Sequence, residues 1–293
     1  MADGGGDRSI ACRRPENAAY GSRRDRQTQR RPEHARLAIL PDRVRVDNIV
    51  RNNEYDPFAQ FYNRHWGADY RAEALPVVER LLLARLKPRA SLLDVCCGTG
   101  QFTGTVRRLG YRMAGVDASA RMIAFARRNA PGVPLSVADV RNFSLRRKFD
   151  GAYSIFESLN HVPDSAGLAQ AFVRIHKHLK PGAPFLFDLN REDAFILYWN
   201  TTDTVVDDAS VCVLRMEYDP LTATGTCNAV GFHKTRNIWK RVDFTVRQTY
   251  HDHDAVEEVL QEAGFHDVTR YDARDAGMTG AAGYARTFFL ATA

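Results

Sequence analysis

Between residues 53 and 90 the apolar positions recur every three to four residues. Phe58, Phe61, Tyr62 and Trp66, then Tyr70, Ala74, Leu75, Val78 and Leu82, mark the faces of two amphipathic helices that break near Gly67, and Pro88 ends the second. The period then shortens: 91–96 is a mostly apolar run of strand length that ends in a glycine cluster. Helix patterns over 101–109, 120–129 and 164–179 alternate with strand patterns at 111–116, 135–138, 152–156 and 184–188. Gly110, the pair Pro131 and Gly132, and the pair Pro181 and Gly182 close the helices, while Ser119 and Asp164 stand where N-caps belong. Repeated strand–helix units of this kind predict a doubly wound, mostly parallel α/β sheet of Rossmann-like type.

The alternation stops after Asn190. Residues 211–218, 225–233 and 239–250 read apolar and polar in turn, separated by turn residues, which predicts an antiparallel β meander inserted over 203–250. A helix at 254–263 and strands near 266–271 and 286–291 then complete the scaffold. The expected organisation is a flexible basic tail over 1–52, an α/β core with N-terminal helices over 53–202, the insert, and the rest of the core over 251–293.

Composition narrows the classes. At 44% hydrophobic and 26% charged, the chain has ample material for a core. Its longest aliphatic run near the middle, 81–84, is far short of the roughly 20 apolar residues of a spanning helix, so no membrane association is expected. The first thirty residues carry Arg and Asp where a signal peptide would be apolar, and a cytoplasmic location is expected. Of the net charge of +6, residues 1–36 contribute +4 through nine Arg against five acids. The body is therefore close to neutral, and a nucleic-acid partner is not expected. The five cysteines form no CxxC pair and no zinc-finger spacing, and His251 and His253 lack a nearby third ligand, so no metal is expected.

The sharpest chemistry lies at 92–100, Leu-Leu-Asp-Val-Cys-Cys-Gly-Thr-Gly. Gly98 and Gly100 let a ligand approach the backbone at the carboxyl end of a strand, where open α/β sheets bind ligands. The dinucleotide fingerprint G-x-G-x-x-G is not met, because the next glycine, Gly104, falls one position late. Asp94 would repel a pyrophosphate but suits a ligand bearing an ammonium group. Asp117, 23 residues on, is placed to accept from ribose hydroxyls. Asp139, 22 residues further, could accept from an adenine amine, with Val140 and Met122 as apolar plates. Singly each acid could be a loop or cap residue; three at successive strand ends point to a nucleoside site.

In order, Asp94-x-Cys96-x-Gly98-x-Gly100, Asp117, Asp139 and Phe149-Asp150-Gly151-Ala152 resemble the motifs of class I S-adenosylmethionine-dependent methyltransferases over about residues 53–293. Cys96 stands where that family usually has glycine. The resemblance implies a seven-stranded sheet with an antiparallel last strand and S-adenosylmethionine as cofactor. It places Asp94, Cys96, Gly98, Gly100, Asp117, Ala118, Met122, Asp139, Val140, Phe156, Tyr70 and Arg71 at the cofactor. Within the family, Phe61-Tyr62, Asp69-Tyr70-x-x-Glu73-Ala74 and residues 155–161 are similar to amino-sugar N,N-dimethyltransferases and, more distantly, glycine N-methyltransferase.

By that resemblance His161 matches a catalytic histidine and Tyr62 a lid tyrosine that orients an amine. The alternatives are a loop histidine bonded to backbone and a packing tyrosine. Trp66, Tyr198, Trp199 and Trp239 are candidate walls of the acceptor pocket, or core anchors. The expected activity is methyl transfer to a small-molecule acceptor, at nitrogen by preference and otherwise at oxygen. A NAD(P)-dependent oxidoreductase and a non-catalytic cofactor-binding protein are the competing readings. The insert also offers a route to a homodimer across a two-fold axis.

Overall fold

The computed structural model describes residues 53–293, and the expected tail over 1–52 lies outside them. Helices α1 (Tyr55–His65) and α2 (Gly67–Leu81) open the fold. They are followed by β1 (Ser91–Val95), α3 (Gln101–Arg108), β2 (Arg112–Asp117), α4 (Ala120–Asn129), β3 (Leu135–Val137), β4 (Gly151–Ser154), α5 (Ser165–Lys177) and β5 (Pro184–Asn190). After α6 (Glu192–Tyr198), strands β6 (Thr201–Asp207), β7 (Ser210–Asp219), β8 (Thr224–Thr235) and β9 (Ile238–Thr249) form the insert. Helix α7 (His253–Glu262), β10 (His266–Asp272) and β11 (Arg286–Thr292) finish the chain.

The seven-stranded sheet has the order β10-β11-β5-β4-β1-β2-β3, with β11 antiparallel to both neighbours and the central strands parallel. Side chains of successive residues point to opposite faces, and both faces are covered. Leu93 and Val95 of β1 join Phe185 and Phe187 of β5 and Phe289 of β11 against α5 and α7. Leu92, Leu186 and Phe288 turn the other way, against α2 and α3. Ser119 caps α4 by accepting from the Met122 amide at 3.0 Å, and Asp164 caps α5 by accepting from Gly167 at 2.7 Å, as the sequence implies.

The insert is a separate antiparallel sheet in the order β6-β7-β8-β9. Phe61 of α1 fills its inner face with Cys212, Leu214, Cys227, Ala229, Phe244 and Val246. Gly231 permits that contact, since a Cβ there would lie 2.5 Å from the Phe61 ring. The sheet has one strand more than the alternation predicts: β6 is an exposed edge rich in Thr and Asp, without the apolar beat that marks a half-buried strand. Helix α6 is likewise absent from the sequence reading, being only two turns long.

Candidate active site

The carboxyl ends of β1, β2, β3 and β4 and the helix α1 enclose a cavity of about 430 Å³. Its volume is that of a small-molecule site. From the turn after β1 come Cys96, Gly98 and Gly100, all left-handed, with φ of 59°, 52° and 72°. Gly100 is obligatory on a second count: a Cβ there would sit 2.7 Å from the backbone of Ala126 in α4. Cys96 takes up the same geometry with a side chain, which is strained. Cys96→Gly is expected to stabilise the protein by about 0.5–1 kcal/mol, raising Tm by about 2 °C in a thermal melt.

Three aspartates, with Glu54 at the α1 entry, line this cavity. Asp94 accepts from the Thr103 hydroxyl at 2.5 Å and the Tyr153 hydroxyl at 2.9 Å, both on Oδ2. Burial pushes its pKa up to about 7, against the pull of those hydroxyls and with a further push from Asp117. Asp117 accepts from the Gly98 and Ser119 amides, each at 2.8 Å. Burial raises it to about 6, with those amides opposing. Asp139 differs: the Arg141 guanidinium clasps both its oxygens, at 2.9 and 2.6 Å, and holds it below the ordinary carboxylate range. No protein cation pairs with Asp94 or Asp117 among the described residues. The cavity is therefore deficient in positive charge at its buried end.

At the other end stands His161, on a short 3-10 turn after β4. Its Nδ1 lies 2.6 Å from the Arg247 carbonyl, which can only accept, so Nδ1 carries the proton. Nε2 is then a lone pair, 2.5 Å from the Tyr55 hydroxyl and 3.2 Å from the Gln248 amide nitrogen. Burial lowers the His161 pKa to about 4, the Arg247 carbonyl opposing, so the ring is neutral at physiological pH. Burial, reinforced by nearby acids, keeps the Tyr55 and Tyr62 phenols protonated.

Asp94, Cys96, Gly98, Gly100, Asp117, Ala118, Met122, Asp139, Val140, Phe156, Tyr62 and His161 all line the one cavity. Tyr70 reaches it indirectly, stacked on Phe156 at 5.1 Å. Arg71 is half-buried on α2 and is not among the lining residues. The four aromatic candidates for the acceptor wall lie elsewhere. Trp66 packs on Phe58, Trp199 covers Gly225 of β8, Tyr198 meets Tyr284, and Trp239 is exposed near the tip of the β8–β9 hairpin. Trp66 and Trp199 pack against the insert's apolar face, which turns to α1 and not to the cavity, whereas Tyr198 and Trp239 are exposed.

Tyr55 is the principal residue that sequence reasoning missed. It sits three residues before Phe58 and seven before Tyr62, on the same helical face, so extending that stripe by one turn would have found it. Arg247 and Gln248 carry no comparable signal, since alternation within a strand does not say what its end will meet.

With the geometry in place, the chain can be compared with known proteins. Residues 92–182 match the family model of a methyltransferase domain. Over 166 residues the chain is 33% identical to the ubiquinone biosynthesis O-methyltransferase of Xanthomonas campestris pv. campestris, covering 53% of this chain and 68% of that protein. Over 116 residues it is 35% identical to the dTDP-3-amino-3,4,6-trideoxy-alpha-D-glucopyranose N,N-dimethyltransferase of Streptomyces venezuelae, covering 40% of this chain and 48% of the relative. The chain spans about half the length of such amino-sugar relatives. Among solved structures, Streptomyces venezuelae DesVI superposes with a TM-score of 0.66 at 24% identity, over 82% of this chain and 98% of its own. The chain belongs to the class I S-adenosylmethionine-dependent methyltransferase family.

Proposed function

We propose that this protein transfers a methyl group from S-adenosylmethionine to the amine nitrogen of a small-molecule acceptor. The reading rests on one arrangement. A neutral histidine with an unprotonated Nε2 stands at one end of a cavity whose other end holds two buried carboxylates without a cation. A ligand bearing an ammonium and a sulfonium supplies the missing charge. Asp94 would face the ammonium and Asp117 the ribose hydroxyls, while Asp139, Val140 and Met122 would frame the adenine. When bound there, the cofactor supplies an electrophilic methyl group on an excellent leaving group.

The chain's own residues then have three tasks. Tyr62 and Phe156 wall the cavity and exclude water, Tyr55 orients the acceptor nitrogen, and His161 takes a proton from it at Nε2. As the carbon–nitrogen bond forms and the carbon–sulfur bond breaks, that proton is the only one the protein must move. The resemblance to amino-sugar N,N-dimethyltransferases favours an amino sugar as acceptor. Incubation with S-adenosylmethionine labelled in the methyl group and a panel of amino sugars and phenols tests this. An N-methylated product is expected; transfer to oxygen alone would reassign the acceptor, and a failure to bind S-adenosylhomocysteine in a thermal-shift assay would overturn the reading.

The same charge deficit predicts a pH dependence. In the free protein Asp94 titrates near 7 and Asp117 near 6. A cationic ligand requires the ionised forms, so binding below those values must displace protons. The dissociation constant for S-adenosylmethionine is expected to rise as pH falls from 7.5 to 5.5, approaching tenfold per pH unit for each proton displaced. Isothermal titration in buffers of different ionisation enthalpy would count those protons.

A further inference from the structure

Three buried amide side chains, Asn160, Asn190 and Gln248, form a chain of hydrogen bonds that ends at His161. Asn160, fully buried, accepts on Oδ1 from the Asn190 backbone amide at 3.0 Å, so its Nδ2 must be the atom donating to the Thr249 carbonyl at 2.8 Å. Asn190, at the end of β5, in turn offers Nδ2 to Oε1 of Gln248 at 3.4 Å. Gln248, on β9 and buried, is left with its NH₂ group toward His161 Nε2 at 3.2 Å. Tyr55 aims its hydroxyl at the same nitrogen. One lone pair thus faces two donors.

We propose that Gln248 is a positioning residue for His161: held by Asn190, its amide donates to Nε2, opposes protonation there and frees the Tyr55 hydroxyl to engage the acceptor nitrogen. A protonated Nε2 would confront the amide N–H of Gln248, which cannot accept. Only turning the amide over, at the cost of the Asn190 bond, would relieve that clash. Tyr55 has no such restriction, because a hydroxyl accepts as readily as it donates. Gln248 therefore opposes protonation of His161, while Tyr55 can follow the proton in either direction.

The other charged groups around His161 reinforce neutrality only weakly. From β9 comes Arg247, whose guanidinium is paired with Glu54 of the α1 entry at 2.8 Å. From the segment after β4 comes Glu157, bound to Arg286. Across the cavity lie Asp117, held by two amides, and Asp139, clasped by Arg141. Burial and the Arg247 carbonyl set the ring's neutral Nδ1–H state, and Gln248 is the side-chain donor that adds to it at Nε2.

The proposal rests on the reading of His161 as the proton acceptor in methyl transfer, but its test does not need turnover. Nitrogen NMR of the histidine-labelled protein reports tautomer and titration directly. In the wild type, His161 is expected as the Nδ1–H tautomer, unprotonated down to about pH 5. In Gln248→Glu a carboxylate replaces the donor, and the titration midpoint is expected to move up by more than one pH unit. Gln248→Met, which keeps the volume without a donor, should yield a smaller upward shift. If a methyl acceptor is in hand, the acid limb of the kcat profile should move with the midpoint, at nearly constant KM for S-adenosylmethionine. An Nε2–H tautomer in the wild type would overturn the proposal, as would identical His161 titrations in all three proteins. Should the midpoint move in the Gln248 variants but no methyl transfer be found, the functional reading fails and the positioning role stands.

Discussion

Arg286→Met is expected to cost about 3–5 kcal/mol of folding stability, the largest loss from any single change considered. Arg286 lies on β11 and is almost wholly buried, with its guanidinium between Asp188 of β5 and Glu157 beyond β4. Two carboxylates share one cation. Burial raises both of them while Arg286 pulls them down, so removing the arginine leaves two acids that must take up protons or be hydrated. Glu157 also holds a left-handed conformation, as does Phe156 before it, with φ of 45° and 67°. Its amide donates to Asp188 at 3.0 Å, so the ion cluster also clamps a strained corner of backbone. A denaturant series at pH 7 would measure the loss, which corresponds to about 10 °C in Tm. Adding Asp188→Asn to the Arg286→Met protein should recover part of it, because one buried acid is then gone. No recovery would mean that the damage comes from packing alone.

The second large effect is kinetic. His161→Gln is expected to lower kcat by about 10²–10³, the usual range for loss of a positioned general base, while leaving the affinity for S-adenosylhomocysteine within about threefold. The separation follows from geometry: His161 bonds to Tyr55, Gln248 and the Arg247 carbonyl, and to none of the three aspartates. Tyr55→Phe should cost only about tenfold, since the imidazole keeps its lone pair and its partner Gln248. Equal losses in kcat and in cofactor affinity would show instead that His161 serves mainly to hold the cavity shut.

Much of this site can be read in the sequence because its determinants are local. Asp94, Asp117 and Asp139 end consecutive strands, and a strand followed by a glycine turn announces its own carboxyl end. The seven strands needed nothing beyond the strand–helix alternation, and the antiparallel last one followed from the family resemblance. What was not legible depends on contacts distant along the chain. Gln248 meets His161 across 87 residues and Tyr55 meets it across 106. The four aromatic side chains expected at the acceptor wall were misplaced for the same reason. Large apolar groups announce burial, but whether they bury against a cavity or another sheet is decided by how the insert docks, which no local pattern records. Cys96 shows the opposite limit: it stands where the family usually has glycine, and its backbone holds the left-handed geometry that glycine favours.

The helix α1 is fastened along both sides. Asp56 accepts from the Ser119 hydroxyl at 2.5 Å and the Arg121 amide at 3.1 Å, and Asn63 accepts from Asn129 at 2.7 Å and Gln101 at 2.9 Å. Toward the insert, Glu54 pairs with Arg247, Arg64 with Asp207, and His65 with Ser210. Tyr55 and Tyr62 ride on this same helix and close the cavity. Loosening one of these side chains leaves the others in place, so the helix is held as a unit between the core and the insert. Movement of this helix, if it accompanies ligand exchange, would therefore be a concerted event and not the swing of one side chain. Eleven residues would then answer as one body to whatever loosens either side.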